Sequence, residues 1–192
     1  MSDPHVLAVV GSLREHSYTR LATAHALRAA EAAGATTELL DLREYDLPPL
    51  NPDADEQGDS ATVIDRVDNA DAVILGSPMY HGSYSGVLKN ALDYCGFDEF
   101  EGKTVGLLAV SGGAFPLTAL EHLRSVCRAL NAWVLPYQAA VPKAHSAFED
   151  GEFVDSDTAD RVATLGERVV RYADIEPEPP TFESDQNQGA DD

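Results

Sequence analysis

His5-Val6-Leu7-Ala8-Val9-Val10-Gly11-Ser12-Leu13-Arg14-Glu15-His16-Ser17-Tyr18-Thr19 is the stretch on which the reading of this chain turns. Its first six residues form a short apolar run, as a strand buried in a sheet does. Gly11 ends the run, and a polar loop follows. Thr19–Ala33 then reads as a helix, because alanine is the strongest helix former and Gly34 supplies a stop. A strand that passes through a short loop straight into a helix opens a βαβ unit.

Outward from there the same alternation repeats. Thr36–Asp41 reads as a second strand, and Leu47–Asp59, rich in Pro, Asp and Gly, as a loop. Ser60 is placed to cap a short helix through Asn69, with Val63, Ile64 and Val67 inward. Ala72–Gly76 is a third strand, Ser77–Ser85 a long polar loop, and Gly86–Tyr94 a helix. Thr104–Val110 is a fourth strand. Pro116 suits the first position of a helix in which Leu117, Leu120, Leu123, Cys127 and Leu130 share a face. Ala132–Val141 holds a fifth strand, and Ser156–Ala173 a last helix. Strand and helix repeated in this way predict an α/β fold, a parallel sheet with helices on both faces. Residues 1–173 form one domain on this reading. Residues 174–192 are acidic and nearly free of large apolar side chains, so they are expected to be a disordered tail.

Composition excludes several roles. The chain has 192 residues and is 44% hydrophobic, enough for one domain with a real core. Thirteen Lys and Arg face 33 Asp and Glu, for a formal charge of −20. That balance makes nucleic acid and anionic membranes poor partners. It also gives the surface the lysine-poor, acidic character of a protein working in concentrated salt. No run of eighteen apolar residues predicts a membrane span, and the start shows no secretory pattern, so the cytoplasm is the expected compartment. Cys95 and Cys127 stand far apart in apolar helical patterns and read as reduced, buried thiols. No metal-like spacing of Cys or His occurs.

In an open parallel sheet, ligands bind beyond the carboxyl ends of the strands, where the winding reverses. With strand order 2-1-3-4-5 that point lies between strands 1 and 3. The loop after strand 1 carries Ser12, Ser17 and Thr19 with Arg14 and leads into a helix N-terminus, where free N–H groups favour an anion. A capped helix with an ordinary polar loop would use the same hydroxyls, but not Arg14. Neither Gly-x-x-x-x-Gly-Lys-Ser/Thr nor Gly-x-Gly-x-x-Gly is present, so a mononucleotide fits better than an NTP or a dinucleotide. After strand 3, Pro78, Met79 and Tyr80 can wall a flat heterocycle, with Gly82 and Gly86 allowing close approach. Tyr80 or Tyr84 as mere packing, and His81 as a structural histidine, stand beside that reading. Ser111-Gly112-Gly113-Ala114 after strand 4 is either a tight turn or a second place for a ring edge to approach.

Gly11-Ser12-x-Arg14-x-x-Ser17, then Ser77-Pro78-x-Tyr80-x-x-Ser83-x-Ser85-Gly86-x-Leu88-Lys89-Asn90-Ala91-x-Asp93, then Ser111-Gly112-Gly113 resemble the NADPH-dependent FMN reductase family over residues 5 to 142. The resemblance implies a flavodoxin-like three-layer sandwich with a five-stranded sheet. It implies FMN as cofactor and NADPH or NADH as co-substrate. Ser12, Arg14, Ser17 and Thr19 would hold the phosphate. Pro78, Met79, Tyr80, His81 and Ser83 would line the ring, and Ser111, Gly112 and Gly113 would border its other edge. The chain departs from the family at Phe115-Pro116, where a second glycine pair is common. Hydride would pass from nicotinamide to flavin and on to a small-molecule acceptor, with no acid–base triad required. The acceptor would be free flavin, or a quinone, azo dye or metal oxyanion on permanently bound FMN. A flavodoxin-type electron carrier is the non-enzymatic alternative. A homodimer or homotetramer is the implied assembly. Lys89, within the signature, has a plainer reading as the ion-pair partner of Asp93, four residues on.

Overall fold

The computed structural model describes residues 3–55 and 57–173. The expected tail, residues 174–192, lies outside the described residues. The elements run β1 (His5–Val10), α1 (Tyr18–Ala32), β2 (Thr36–Asp41), α2 (Ser60–Asp68), β3 (Ala72–Pro78), α3 (Gly86–Asp93), α4 (Phe97–Phe100), β4 (Thr104–Val110), α5 (Leu117–Ala129), β5 (Trp133–Val141), α6 (Ala144–Ala147), β6 (Phe148–Glu149), β7 (Glu152–Phe153) and α7 (Ser156–Arg171). Five strands form one parallel sheet in the order β2-β1-β3-β4-β5, as expected.

Successive strand residues point to opposite faces, and both faces are covered, which is why the strands read as continuous apolar runs. Val6, Ala8, Ile74 and Leu108 pack with Ala22, Ala26 and Ala30 of α1 and Val162, Leu165 and Val169 of α7. Leu7, Val9, Val73, Leu75 and Leu107 face α2, α3 and α5 through Val63, Leu88, Leu92, Leu120 and Leu123. The α1–α7 side is the tighter of the two. A side chain at Gly166 would run into the Ala26 carbonyl, so that helix contact depends on glycine.

Several local expectations shift. Asp59, not Ser60, precedes α2, and its carboxylate accepts the Asp46 N–H at 2.8 Å instead of capping the helix. Pro116 sits one residue before α5, at its N-cap. Ser77 and Pro78 belong to β3 rather than to the loop after it. In β5 the pairing jumps from Val105↔Val134 to Leu107↔Gln138, a bulge that contains Pro136. Proline is tolerated there because β5 is an edge strand. The β6–β7 hairpin turns at Asp150 and Gly151, with φ of 50° and 87°. Asp-Gly is the preferred pair for such a turn, so that hairpin had a readable signal.

Candidate functional site

The first loop leaves β1 at Gly11, whose N–H donates to the Gly76 carbonyl at 2.8 Å. Ser17 caps α1: its Oγ accepts the Arg20 N–H at 3.1 Å, and its side chain is buried. Thr19 is buried too, in the first turn of the helix. Among the described residues, no backbone N–H from Ser12 to Thr19 donates to another residue. Uncommitted N–H groups at a helix N-terminus attract an anion, with the helix dipole adding about half a positive charge. None of the 33 acidic residues occupies the first turn of α1, the position an acid would favour. The Arg14 guanidinium is exposed and has no partner among the described residues. By contrast Arg20, Arg66 and Lys89 pair with Asp41, Glu38 and Asp93. Lys89 thus takes its plainer reading.

The loop after β3 is built differently. The Met79 N–H donates to Val110 at 2.7 Å, fixing it to the end of β4. Tyr80 and Ser83 then exchange backbone hydrogen bonds of 2.9 and 3.1 Å around His81 and Gly82. Both central residues have positive φ, 50° and 82°, the geometry of a tight hairpin turn. Ser77, fully buried, donates to the Pro78 carbonyl and accepts the Ser85 N–H, each at 2.9 Å. Ser85 caps α3, accepting the Leu88 N–H at 3.2 Å, and donates to the Gly11 carbonyl at 2.6 Å. Two buried hydroxyls therefore lock the first and third loops together.

The ends of β4 and β5 close the edge. The Ser111 N–H donates to Val141, Ala144 N–H to the Ser111 carbonyl, and Lys143 N–H to the Gly113 carbonyl, at 2.9, 2.9 and 3.0 Å. The Ser111 hydroxyl donates to the Ala114 carbonyl. A Cβ added at Gly112 or Gly113 would meet no atom within 4 Å. Neither glycine has a positive φ, so neither backbone strain nor protein packing requires it. Both glycines border open space.

These loops enclose a cleft of about 300 Å³ lined by Ser12, Arg14, Pro78, Met79, Tyr80, Ser111 and Gly112. Seven of the twelve expected site residues thus share one wall. Ser17 and Thr19 lie behind it, committed to the helix cap and the interior. His81 and Ser83 turn away in the hairpin, where Ser83 Oγ meets His122 Nδ1 at 3.0 Å. Gly113 is absent from the wall. Tyr18, Val110, Ala144 and His145 complete the lining and had not been expected. Tyr18 stacks on Phe148 with ring centroids 5.6 Å apart. Ala144 and His145 follow β5, so extending the strand-end rule to the fifth strand would have found them.

A larger cleft of about 540 Å³ lies between α3 and the segment after β2, with Leu13, Tyr45, Leu47, Lys89 and Asn90 in its wall. Its Lys89 and Asn90 are already engaged, Lys89 with Asp93 and Asn90 with the Leu47 and Pro48 carbonyls at 3.1 and 2.8 Å. Size alone does not make a site, and free convergent polar groups point to the smaller cleft. The thiols of Cys95 and Cys127 are buried, and burial pushes both up to about 12, so neither is a nucleophile.

A doubly wound sheet whose β1, β3 and β4 loops meet in a cleft beyond its carboxyl edge is the architecture of a nucleotide-binding protein of flavodoxin-like fold. The chain belongs to the NADPH-dependent FMN reductase family, whose model matches residues 4–146, and it is accordingly an NAD(P)H-dependent flavin oxidoreductase. It is 33% identical over 180 residues to the FMN-dependent NADPH-azoreductase of Staphylococcus aureus, covering 89% of this chain and 96% of that one. Its fold superposes on the flavoenzyme NAD(P)H:(acceptor) oxidoreductase FerB from Paracoccus denitrificans with a TM-score of 0.75 at 26% identity, over 88% of this chain and 97% of the other. A flavodoxin from the domain Archaea matches at TM-score 0.64 and 12% identity, over 89% and 99% of the two chains, which speaks for the fold alone.

Proposed function

We propose that the 300 Å³ cleft holds FMN, with its phosphate on the Ser12–Thr19 loop and its ring between Pro78–Tyr80 and Ser111–Gly112. The observation that carries this is the pairing of loop N–H groups and an Arg14 that have no partner among the described residues with an open glycine slot across the same cleft. FMN would supply the hydride chemistry, taking two electrons from reduced nicotinamide and giving them to an acceptor. The chain's own part is positional. Arg14 and the loop N–H groups neutralise the phosphate. The Met79–Val110 bond and the Tyr80–Ser83 turn stiffen one wall, and Gly112 keeps the facing edge clear. Ser17 and Thr19 would serve the phosphate through their backbone, since their side chains are turned to the helix.

For the acceptor, the azoreductase relatives favour an azo compound reduced on FMN that stays bound, ahead of free flavin. A homodimer in the cytoplasm fits this reading: Leu13, Tyr80, Phe115 and Leu117 leave half-exposed apolar side chains on the surface. Among the described residues, no helix is long and apolar enough to cross a membrane. The test is direct. The purified protein should be yellow with FMN after gel filtration, NADPH should bleach it without oxygen, and an azo dye should restore the colour. A colourless protein that turns over added FMN would instead make flavin the substrate.

A further inference from the structure

We infer that Arg20 and Asp41, outside the cleft wall, are the residues that shape the anion-binding loop; this rests on the FMN reading above. Arg20 sits in the first turn of α1, beyond the cap. Its Nη2 donates to two successive loop carbonyls, Arg14 at 3.1 Å and Glu15 at 2.6 Å. A trans peptide is planar, with its C=O and the next N–H pointing in opposite directions. Drawing the carbonyls of Arg14 and Glu15 toward Arg20 therefore turns the N–H groups of Glu15 and His16 away from it. Those N–H groups have no partner among the described residues. One guanidinium thus does for the loop what a strand partner does for a sheet edge: it takes up the acceptors and leaves the donors facing outward.

Asp41 makes this arrangement a fixed one. Its carboxylate is buried at the end of β2, with Oδ2 3.1 Å from Arg20 Nε. Its other oxygen accepts the Arg43 N–H at 3.1 Å. The pair neutralises Arg20, so Arg20 does not act as a phosphate ligand itself and leaves that charge role to Arg14. Arg20 is a planar fork: Nη2 donates to both carbonyls while Nε lies beside the Asp41 carboxylate as an ion pair without hydrogen-bond geometry. Lysine keeps the charge but carries its donors on a single atom, so it does not reproduce the spread of the fork.

The test compares two ligands that differ only in the phosphate. Binding of FMN and of riboflavin to apoprotein is titrated by flavin fluorescence for wild type, Arg20→Ala, Arg20→Lys and Asp41→Asn, with melting curves alongside. Wild type should prefer FMN to riboflavin; if it does not, the FMN reading fails before Arg20 is at issue. Given that preference, Arg20→Ala should weaken FMN by about tenfold, the value of a lost charge-assisted arrangement, with riboflavin unchanged. Arg20→Lys should recover only part of it. Asp41→Asn, which keeps the Arg43 bond but loses the charge, should lower FMN affinity in the same selective way. Equal losses for both flavins would make Arg20 a stability residue and overturn the inference, as would no loss for either.

Discussion

The loop after β1 and the loop after β3 share one edge of the sheet and treat their polar groups in opposite ways. In the first, N–H groups from Ser12 to Thr19 are left without protein acceptors, and Arg14 without a counter-ion, among the described residues. In the second, Ser77, Met79, Tyr80, Ser83 and Ser85 spend their hydrogen bonds on the chain itself. On the proposed reading, the difference divides the labour of the cleft. Groups meant for a ligand must be left unsatisfied in the protein, at a cost to stability, whereas a wall that only needs shape can be fully bonded. Mutations in the first loop, apart from the helix cap Ser17, should therefore change binding and spare the fold, and mutations under the second should do the reverse.

The largest effect on stability is expected from Ser85→Ala. That hydroxyl caps α3 and satisfies the buried Gly11 carbonyl. Loss of a cap and an orphaned acceptor together cost roughly 2–3 kcal/mol. For a domain of this size that lowers Tm by about 5–10 °C, readable in a thermal melt. Arg14→Ala should do the opposite. Its side chain is exposed and unpartnered, so Tm should stay within about 1–2 °C. FMN affinity should fall about tenfold to hundredfold, the worth of a charge-assisted contact of roughly 1.5–3 kcal/mol. If Arg14→Ala lowered Tm and left the affinity alone, the division between the loops would be wrong.

Gly112→Ala is a finer probe. Among the described residues, no atom beyond its chain neighbours lies within 4 Å of the added methyl, and the backbone is unstrained. Stability of the apoprotein should therefore change by less than about 0.5 kcal/mol, or rise slightly through the stiffer unfolded chain. If the slot receives a ring edge, FMN should bind several times more weakly or with a shifted absorption spectrum. Unchanged affinity and spectrum together would leave the slot without a flavin.

How far the sequence could be read follows the same physical divide. The sheet order was legible because each strand is an apolar run, and parallel crossovers leave few windings. The strand-end rule located the cleft, and Ser12, Arg14, Pro78, Met79, Tyr80, Ser111 and Gly112 all line it. What could not be read is which way each loop side chain turns. Ser17 went to the helix cap, the alternative its hydroxyl had left open, and Ser83 to His122, a partner 39 residues away that only the fold brings near. Spacing does not reveal that competition. Arg20 was invisible for a related reason: its partners are backbone carbonyls and a carboxylate brought close only by the β1–β2 pairing.

Salt gives the smallest effect, and it should act with opposite sign on the stability of the acidic surface and on phosphate binding at the first loop. Thirteen bases cannot neutralise 33 acids, so like charges repel across the surface at low salt. At about 0.1 M the Debye length is roughly 10 Å and neighbouring acids still interact; at about 1 M it is roughly 3 Å and most of that repulsion is screened. Tm and any dimer fraction should therefore rise between about 0.1 and 2 M KCl, because folding and association both bring acids together. Phosphate on an exposed Arg14 is an attraction, and the same screening weakens it. The ratio of FMN to riboflavin affinity should accordingly shrink over the range in which Tm climbs. Melting curves and paired titrations on one set of buffers measure both. A flat Tm would show the acids to be neutralised locally. A ratio that held steady would mean that the phosphate is recognised by the loop N–H groups rather than by the exposed charge of Arg14.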